Sequence, residues 1–183
     1  MQIISGKYRA RKLIGVDAET TRPTLARVKE SIFNLVQGKI SGRIVLDLFS
    51  GSGAFGLECV SRFAKKVYMV DKEQKAINTI KINSKNMIED FEIIKSDYLS
   101  ALESFKNKNI KFDLIYLDPP YKSDYAVKSL ELISMYNLLN NDGIIIVEHE
   151  QENDLQIIPK CYIIEKSRKY GIAYIDILSQ TKE

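Results

Sequence analysis

Residues 117–121 read "LDPPY": an acid, two prolines and an aromatic ring directly behind the apolar run "FDLIY". That order of residue types suits one kind of chemistry. The exocyclic amine of a nucleobase is a poor nucleophile, because its lone pair is delocalised into the ring. Two acceptors on its N–H groups orient the amine and favour a pyramidal nitrogen. Asp118 and the carbonyl of Pro119 can be those acceptors. Proline fixes φ, so Pro119 holds its carbonyl rigidly and Pro120 stiffens the turn. Tyr121 can stack on the base, a contact worth roughly 1–3 kcal/mol in nucleic-acid sites. Such a site works by positioning and electrostatics. It calls for neither a metal nor a strong base.

A second constellation decides what the amine would attack. "GSGAFG" at 51–56 matches G-x-G-x-x-G, and Asp71 ends the following apolar run. On those facts a dinucleotide is one possible ligand. Asp47 argues against it. A pyrophosphate would lie against this loop and the helix N-terminus behind it, where a carboxylate four positions before Gly51 repels it. S-adenosylmethionine (SAM) has no phosphate and brings an ammonium and a sulfonium, which Asp47 attracts. Gly51 and Gly53 then form the tight turn of the cofactor loop. Asp71 takes ribose hydroxyls, and Asp97 in "KSD" accepts from the adenine amino group. Two plainer roles stand beside these: Asp47 capping the loop backbone and Asp97 capping the next helix.

The elements that must position these groups alternate along the chain. "RIVLDLF", "KVYMVD", "FEIIKSD", "KFDLIYLD" and "GIIIVEHE" read as strands, separated by helical stretches that begin at "GSGAFGLECVSRF", "KEQKAINTIKINSKNM", "YLSALESFK" and "DYAVKSLELISMYNLL". Repeated βα units predict an α/β fold with a mostly parallel, doubly wound sheet. The nearly all-apolar fourth strand should be buried on both faces. "CYIIEKSRKYGIAYIDIL" closes the sequence as two strands around "RKYG", an antiparallel edge. Ahead of this core, "MQIISGKYRARKLIGV" reads as a small hairpin. Thr24 is the expected N-cap of a helix carrying Leu25, Val28, Ile32, Leu35 and Val36, ended by Gly38. Ligands in such folds sit at the carboxyl ends of the strands, which puts "DPPY" beside the glycine loop.

Composition bounds the rest. With 183 residues, 45% of them apolar, one domain is expected: a basic hairpin and helix extension over 1–43 and a cofactor-binding catalytic core over 44–183. The formal charge is +3. Residues 1–43 contribute nine Lys/Arg and three Asp/Glu, or +6, which leaves −3 for the remainder. A basic arm on a near-neutral body suits a polyanion. Lys7, Arg9, Arg11, Lys12 and Arg22 are its candidate phosphate contacts. Two cysteines, Cys59 and Cys161, are read as buried reduced thiols. The single histidine, His149, lies in "VEHEQEND" and reads as a surface residue after a strand. No apolar run is long enough for a membrane span and no secretory signal is evident, so a cytoplasmic protein with no membrane partner is expected.

The ordered set "RPTLARVKESIFN", "LDLFSGSGAFGLE", "VDK", "KSD" and "LDPPY" resembles the bacterial family that methylates guanine N2 in small-subunit (16S) ribosomal RNA. The resemblance spans nearly the whole chain. It implies a Rossmann-like class I SAM-dependent methyltransferase fold with a seven-stranded sheet and a small N-terminal extension. It carries a cofactor role onto Asp47, Gly51, Gly53, Asp71 and Asp97, and a target-amine role onto Asp118, Pro119, Pro120 and Tyr121. It also implies a part for Arg22 and Thr24 near the cofactor's methionine end or the RNA. Glu is expected in the family at the place of Asp71 at least as often as Asp; the shorter arm can still reach ribose hydroxyls. "DPPY" alone is shared with DNA adenine-N6 and cytosine-N4 amino-methyltransferases, the alternative reading. The residues themselves leave guanine and adenine equally open, since any exocyclic amine fits the acceptor pair. The implied partner is ribosomal RNA, free or within the small subunit.

Overall fold

The structure, a computed structural model, describes residues 1–16, 23–120, 123–150, 155 and 158–181. In chain order the elements are α1 (Pro23–Leu35), β1 (Ile44–Asp47), α2 (Ala54–Ser61), β2 (Lys66–Asp71), α3 (Gln74–Asn83), β3 (Phe91–Lys95), α4 (Tyr98–Asn107), β4 (Phe112–Leu117), α5 (Tyr125–Met135), β5 (Leu139–His149), β6 (Tyr162–Tyr170) and β7 (Ala173–Gln180). The strands form one seven-stranded sheet in the order β3-β2-β1-β4-β5-β7-β6. β1 to β5 pair in parallel. β7 runs antiparallel to both β5 and β6, the expected C-terminal edge.

Strand residues point alternately to the two faces, so the sheet has a core on each side. Val45 of β1 packs with α1 and α2 through Val28, Ile32, Phe33 and Leu57. Leu46, one position on, joins the opposite core with Leu102 and Phe105 of α4 and Leu130 of α5. β4 is buried along nearly its whole length, as its apolar run predicts. Among the described residues no helix is long and apolar enough to cross a membrane.

Four expectations change. α1 begins at Pro23, whose fixed φ suits the first helical position, so Thr24 lies inside the helix and is not its N-cap. The N-terminal hairpin reduces to a single bridge, Gln2 to Lys12. β5 starts at Leu139 rather than Gly143, because a register shift between Phe112 and Leu114 of β4 lets the polar "NND" join the ladder. Cys161 is only half-buried, its Sγ 3.0 Å from the Ser134 hydroxyl, while Cys59 is fully buried and both thiols are free.

The N-terminal arm is bound to the core by polar contacts. Glu58 of α2 is fully buried. It accepts the N–H groups of Ile4 (2.7 Å) and Ser5 (3.0 Å) and pairs with Arg62 (2.9 Å) and with Lys29 of α1 (3.2 Å). Lys29 also donates to the Gln2 carbonyl at 2.8 Å. Gly6 presses directly on α2: it has φ +87°, and a Cβ there would lie 1.9 Å from the Ser61 carbonyl oxygen. A side chain at Gly6 must therefore both adopt the left-handed region and push the arm off α2. Gly6→Ala is expected to destabilise the protein by about 3 kcal/mol, lowering Tm by roughly 6–12 °C in a thermal melt. It should also expose Lys7 and Arg9 to trypsin while the core resists.

Candidate active site

The glycine loop follows β1. Asp47, the last residue of that strand, is 1% exposed. Its Oδ2 accepts the N–H of Gly56 at 3.0 Å, so it does brace the loop backbone. Its Oδ1 is buried without a hydrogen-bond partner. Burial, and secondarily Asp71, pushes the Asp47 carboxyl up to about 7, against the lowering effect of the Gly56 N–H and Ser50. Gly56 allows this approach, since a Cβ there would sit 2.5 Å from Met69 Cγ and 3.2 Å from Asp47 Oδ2. Asn83 of α3 ties the arm to the same loop. Its side chain accepts from Ile14 N–H and donates to the carbonyls of Ile14 and Ser52.

Sheet register brings further groups to this point. Asp47 of β1 is level with Tyr116 of β4, and Leu117 of β4 is level with Val147 of β5. Level residues of parallel strands share a face. Asp118 and Glu148 therefore continue side by side beyond the Leu117–Val147 pair, on the same face as Asp47 and Tyr116. Asp47, Tyr116, Asp118 and Glu148 all line one cavity of about 230 Å³, walled also by Phe55 and Lys29. Tyr116 donates its hydroxyl to Glu148 Oε2 at 2.8 Å, and its ring stacks on Phe55 at 4.0 Å. Burial, then Glu148 and Asp47, raises the Asp118 carboxyl well above the usual carboxylate range. Glu148 is raised too, by burial, against the lowering effects of the Tyr116 hydroxyl and His149. Three carboxyl groups thus face one cavity, an arrangement that favours a cationic ligand over an anionic one. Lys29, the cation in this wall, is already paired with Glu58.

A second groove, of about 810 Å³, shares Phe49, Gly51 and Asp118 with the cavity and runs past Asp71, Asp97 and Pro119. Asp71 accepts Gly51 N–H (2.8 Å) on one oxygen and Glu73 N–H (2.9 Å) on the other. Each carboxylate oxygen has a further lone pair for a hydroxyl donor. Asp97 caps α4 by accepting Ser100 N–H at 3.0 Å, a bond that holds its carboxyl below the usual range. Phe49, Tyr98 and Tyr125 gather into an aromatic wall, with ring centroids 5.0 to 6.4 Å apart.

Of the residues singled out in the sequence, Asp47, Gly51, Asp71, Asp97, Asp118, Pro119 and Pro120 border these two connected spaces, and Gly53 is the N-cap residue of α2. Arg22, Tyr121 and the side chain of Thr24 lie outside the described ones. Among the arm's basic residues, Lys7 is paired with Glu89 and Arg11 donates to the Lys85 carbonyl, so both brace the arm against the turn after α3. His149 is not a surface residue. It is 6% exposed, bonded through Nε2 to Asp176 Oδ2 at 3.0 Å, because β7 covers the end of β5. Glu148 and Tyr116 were not singled out from sequence; the signal for Glu148 was its place at the end of the strand beside "DPPY".

The sheet order and an acid-lined site at the carboxyl ends of β1, β4 and β5 define an α/β methyltransferase. The structure of yhhF from Escherichia coli superposes with a TM-score of 0.87 at 25% identity, covering 100% of this chain and 99% of that one. The family described as "Conserved hypothetical protein 95" matches residues 1–179, and the chain belongs to it. It is 36% identical to YlbH of Bacillus subtilis over 97% of both chains. It is 35% identical to "Ribosomal RNA small subunit methyltransferase D" of Haemophilus influenzae over 94% of this chain and 90% of that protein.

Proposed function

We propose that this protein transfers a methyl group from SAM to the exocyclic N2 amine of a guanine in small-subunit ribosomal RNA. The observation that carries the reading is the cavity shared by Asp47, Asp118 and Glu148, with one buried carboxylate oxygen left unpartnered. A buried, unpaired carboxylate oxygen is costly unless a ligand meets it. A cationic ligand fits this donor set and a phosphate does not. The relatives' names supply the substrate: ribosomal RNA of the small subunit rather than DNA.

When bound, the cofactor supplies a methyl group activated by the positive charge on sulfur. Asp47 Oδ1 would take its cationic end, Asp71 its ribose and Asp97 its adenine amine, with Phe49 and Tyr98 as apolar walls. A positive charge held beside Asp118 would favour its ionised form, the form that accepts hydrogen bonds. Asp118 and the Pro119 carbonyl then accept the two N–H groups of the target amine and turn its lone pair toward the methyl carbon. The amine nitrogen held there would form its new N–C bond as the donor's C–S bond breaks, with that bond's electron pair left on sulfur. The surplus proton on nitrogen passes to Asp118, whose raised proton affinity suits the task. The base must be splayed out of its stack to reach this depth. Arg9 and Lys12 would hold phosphates outside the cavity. The reading is tested by mass mapping of methylated guanines in small-subunit RNA from cells with and without the gene. One N2-methylguanine is expected to vanish on deletion and return with the wild-type gene. An unchanged map overturns it.

A further inference from the structure

The acceptor pair alone does not select guanine over another amine-bearing base. Asp118 and the Pro119 carbonyl would hold the amine of adenine or cytosine equally well. The bases differ at the ring atom beside the amine. Guanine places N1–H there, a donor. Adenine places N1 and cytosine N3, both acceptors.

The carboxylate beside Asp118 in this cavity is Glu148. It lies one place past Val147 in β5, as Asp118 lies one place past Leu117 at the exit of β4, and Leu117 and Val147 are level, so the two carboxylates stand on the same face of adjacent segments. It is 4% exposed and lines the same cavity as Asp118. Its Oε2 is fixed by the Tyr116 hydroxyl at 2.8 Å. The Tyr116 ring is itself clamped against Phe55. Glu148 is thus held in one orientation, with Oε1 available to a donor. The orphaned Asp47 Oδ1 in the same wall marks this cavity independently as one built around a ligand.

We propose that Glu148 is the residue that selects guanine, accepting N1–H of the target base while Asp118 accepts from its 2-amine. Two adjacent carboxylates match guanine's two adjacent donors. An adenine or cytosine amine on Asp118 would turn a ring-nitrogen lone pair toward Glu148, leaving two acceptors opposed and buried, an arrangement that sites built for a donor reject strongly. The inference rests on the guanine-amine reading above. Tyr116 acts through Glu148 as a positioning residue.

The test uses the mapped guanine replaced by 2-aminopurine, which keeps the 2-amine and lacks N1–H. The analogue is ligated into small-subunit RNA, and single-turnover transfer is compared with the guanine RNA. The wild-type protein is expected to prefer guanine by roughly 10- to 100-fold. Glu148→Gln, whose side-chain amide can donate to the ring nitrogen, is expected to bring the ratio within about threefold of one or to invert it. Tyr116→Phe should give an intermediate ratio, and SAM binding by calorimetry should be retained in both variants. A wild-type ratio near one overturns the proposal, as does an unchanged ratio in Glu148→Gln. Should that variant transfer to neither base, an unchanged ratio in Tyr116→Phe overturns it equally. Absence of wild-type transfer to guanine itself would count against the reaction reading instead.

Discussion

Asp118→Ala is expected to lower methyl transfer by roughly a thousandfold or more while SAM affinity stays within about tenfold of wild type. The separation follows from position. Asp118 sits where cavity and groove meet, and in the proposed mechanism it holds the amine and takes its proton, whereas Asp47 meets the cofactor's charge. Removing Asp118 therefore takes away both an acceptor that orients the nucleophile and the base that receives its proton. It also removes a carboxyl whose ionised form is disfavoured by burial and by Glu148 and Asp47, so the ligand-free variant should melt no lower than wild type at pH 8. Calorimetry gives the affinity, and a rapid-mixing assay with labelled methyl donor gives the rate. Transfer above a tenth of wild type would remove Asp118 from the reaction.

Asp47→Asn produces the second large effect, with opposite signs on binding and stability. The carboxyl is held at about 7 in the fold against an ordinary value of 3.8. The folded chain thus keeps a proton that the unfolded chain releases between those two values. Stability from this group is fully present below pH 3.8 and is lost as pH rises to 7, a difference of about 4 kcal/mol. Asn still accepts the Gly56 N–H but carries no charge to desolvate. The ligand-free variant should accordingly be more stable than wild type at pH 8, by up to about 4 kcal/mol, and equal to it near pH 3. Cofactor binding runs the other way. The ionised carboxylate attracts the cation, so wild-type affinity should rise about tenfold between pH 6 and pH 8 with net proton release. Asp47→Asn should bind about a hundredfold or more weaker at pH 8 and lose that pH dependence. Equal affinities of the two proteins at pH 8 would refute the role of Asp47.

The sheet was legible wherever one strand carried its own evidence. "KVYMVD" is strand β2 to the residue, and "FDLIYL" shows by its apolar run that β4 is central. The placing of the glycine loop behind β1 and of Asp118 and Pro119 behind β4 was legible because each is set by a few neighbouring residues. What stayed hidden depends on register between distant segments. Glu148 matters because β5 lies level with β4, thirty positions earlier in the chain. Glu58, inside an otherwise apolar helix, gains its meaning from the backbone N–H groups of Ile4 and Ser5. His149 was misplaced because its acidic flank suggests solvent, whereas β7 pairs along β5 as far as His149 itself. The Thr24 cap failed because a proline in front of it is a better helix start.

The chain has one histidine, so it has one imidazole ring to be seen by proton magnetic resonance. That ring is locked between Asp176 and the face of Tyr174, 5.6 Å away, and stands next in sequence to Glu148. Its charge and that of Glu148 act on one another. A single pair of ring resonances therefore reports, from the far face of β5, on the charge of Glu148 in unlabelled protein, and it moves when a ligand changes the ionisation of that neighbour. The buried His149–Asp176 pair gives the site a built-in spectroscopic probe, one that needs no added label and no substitution in the walls it observes.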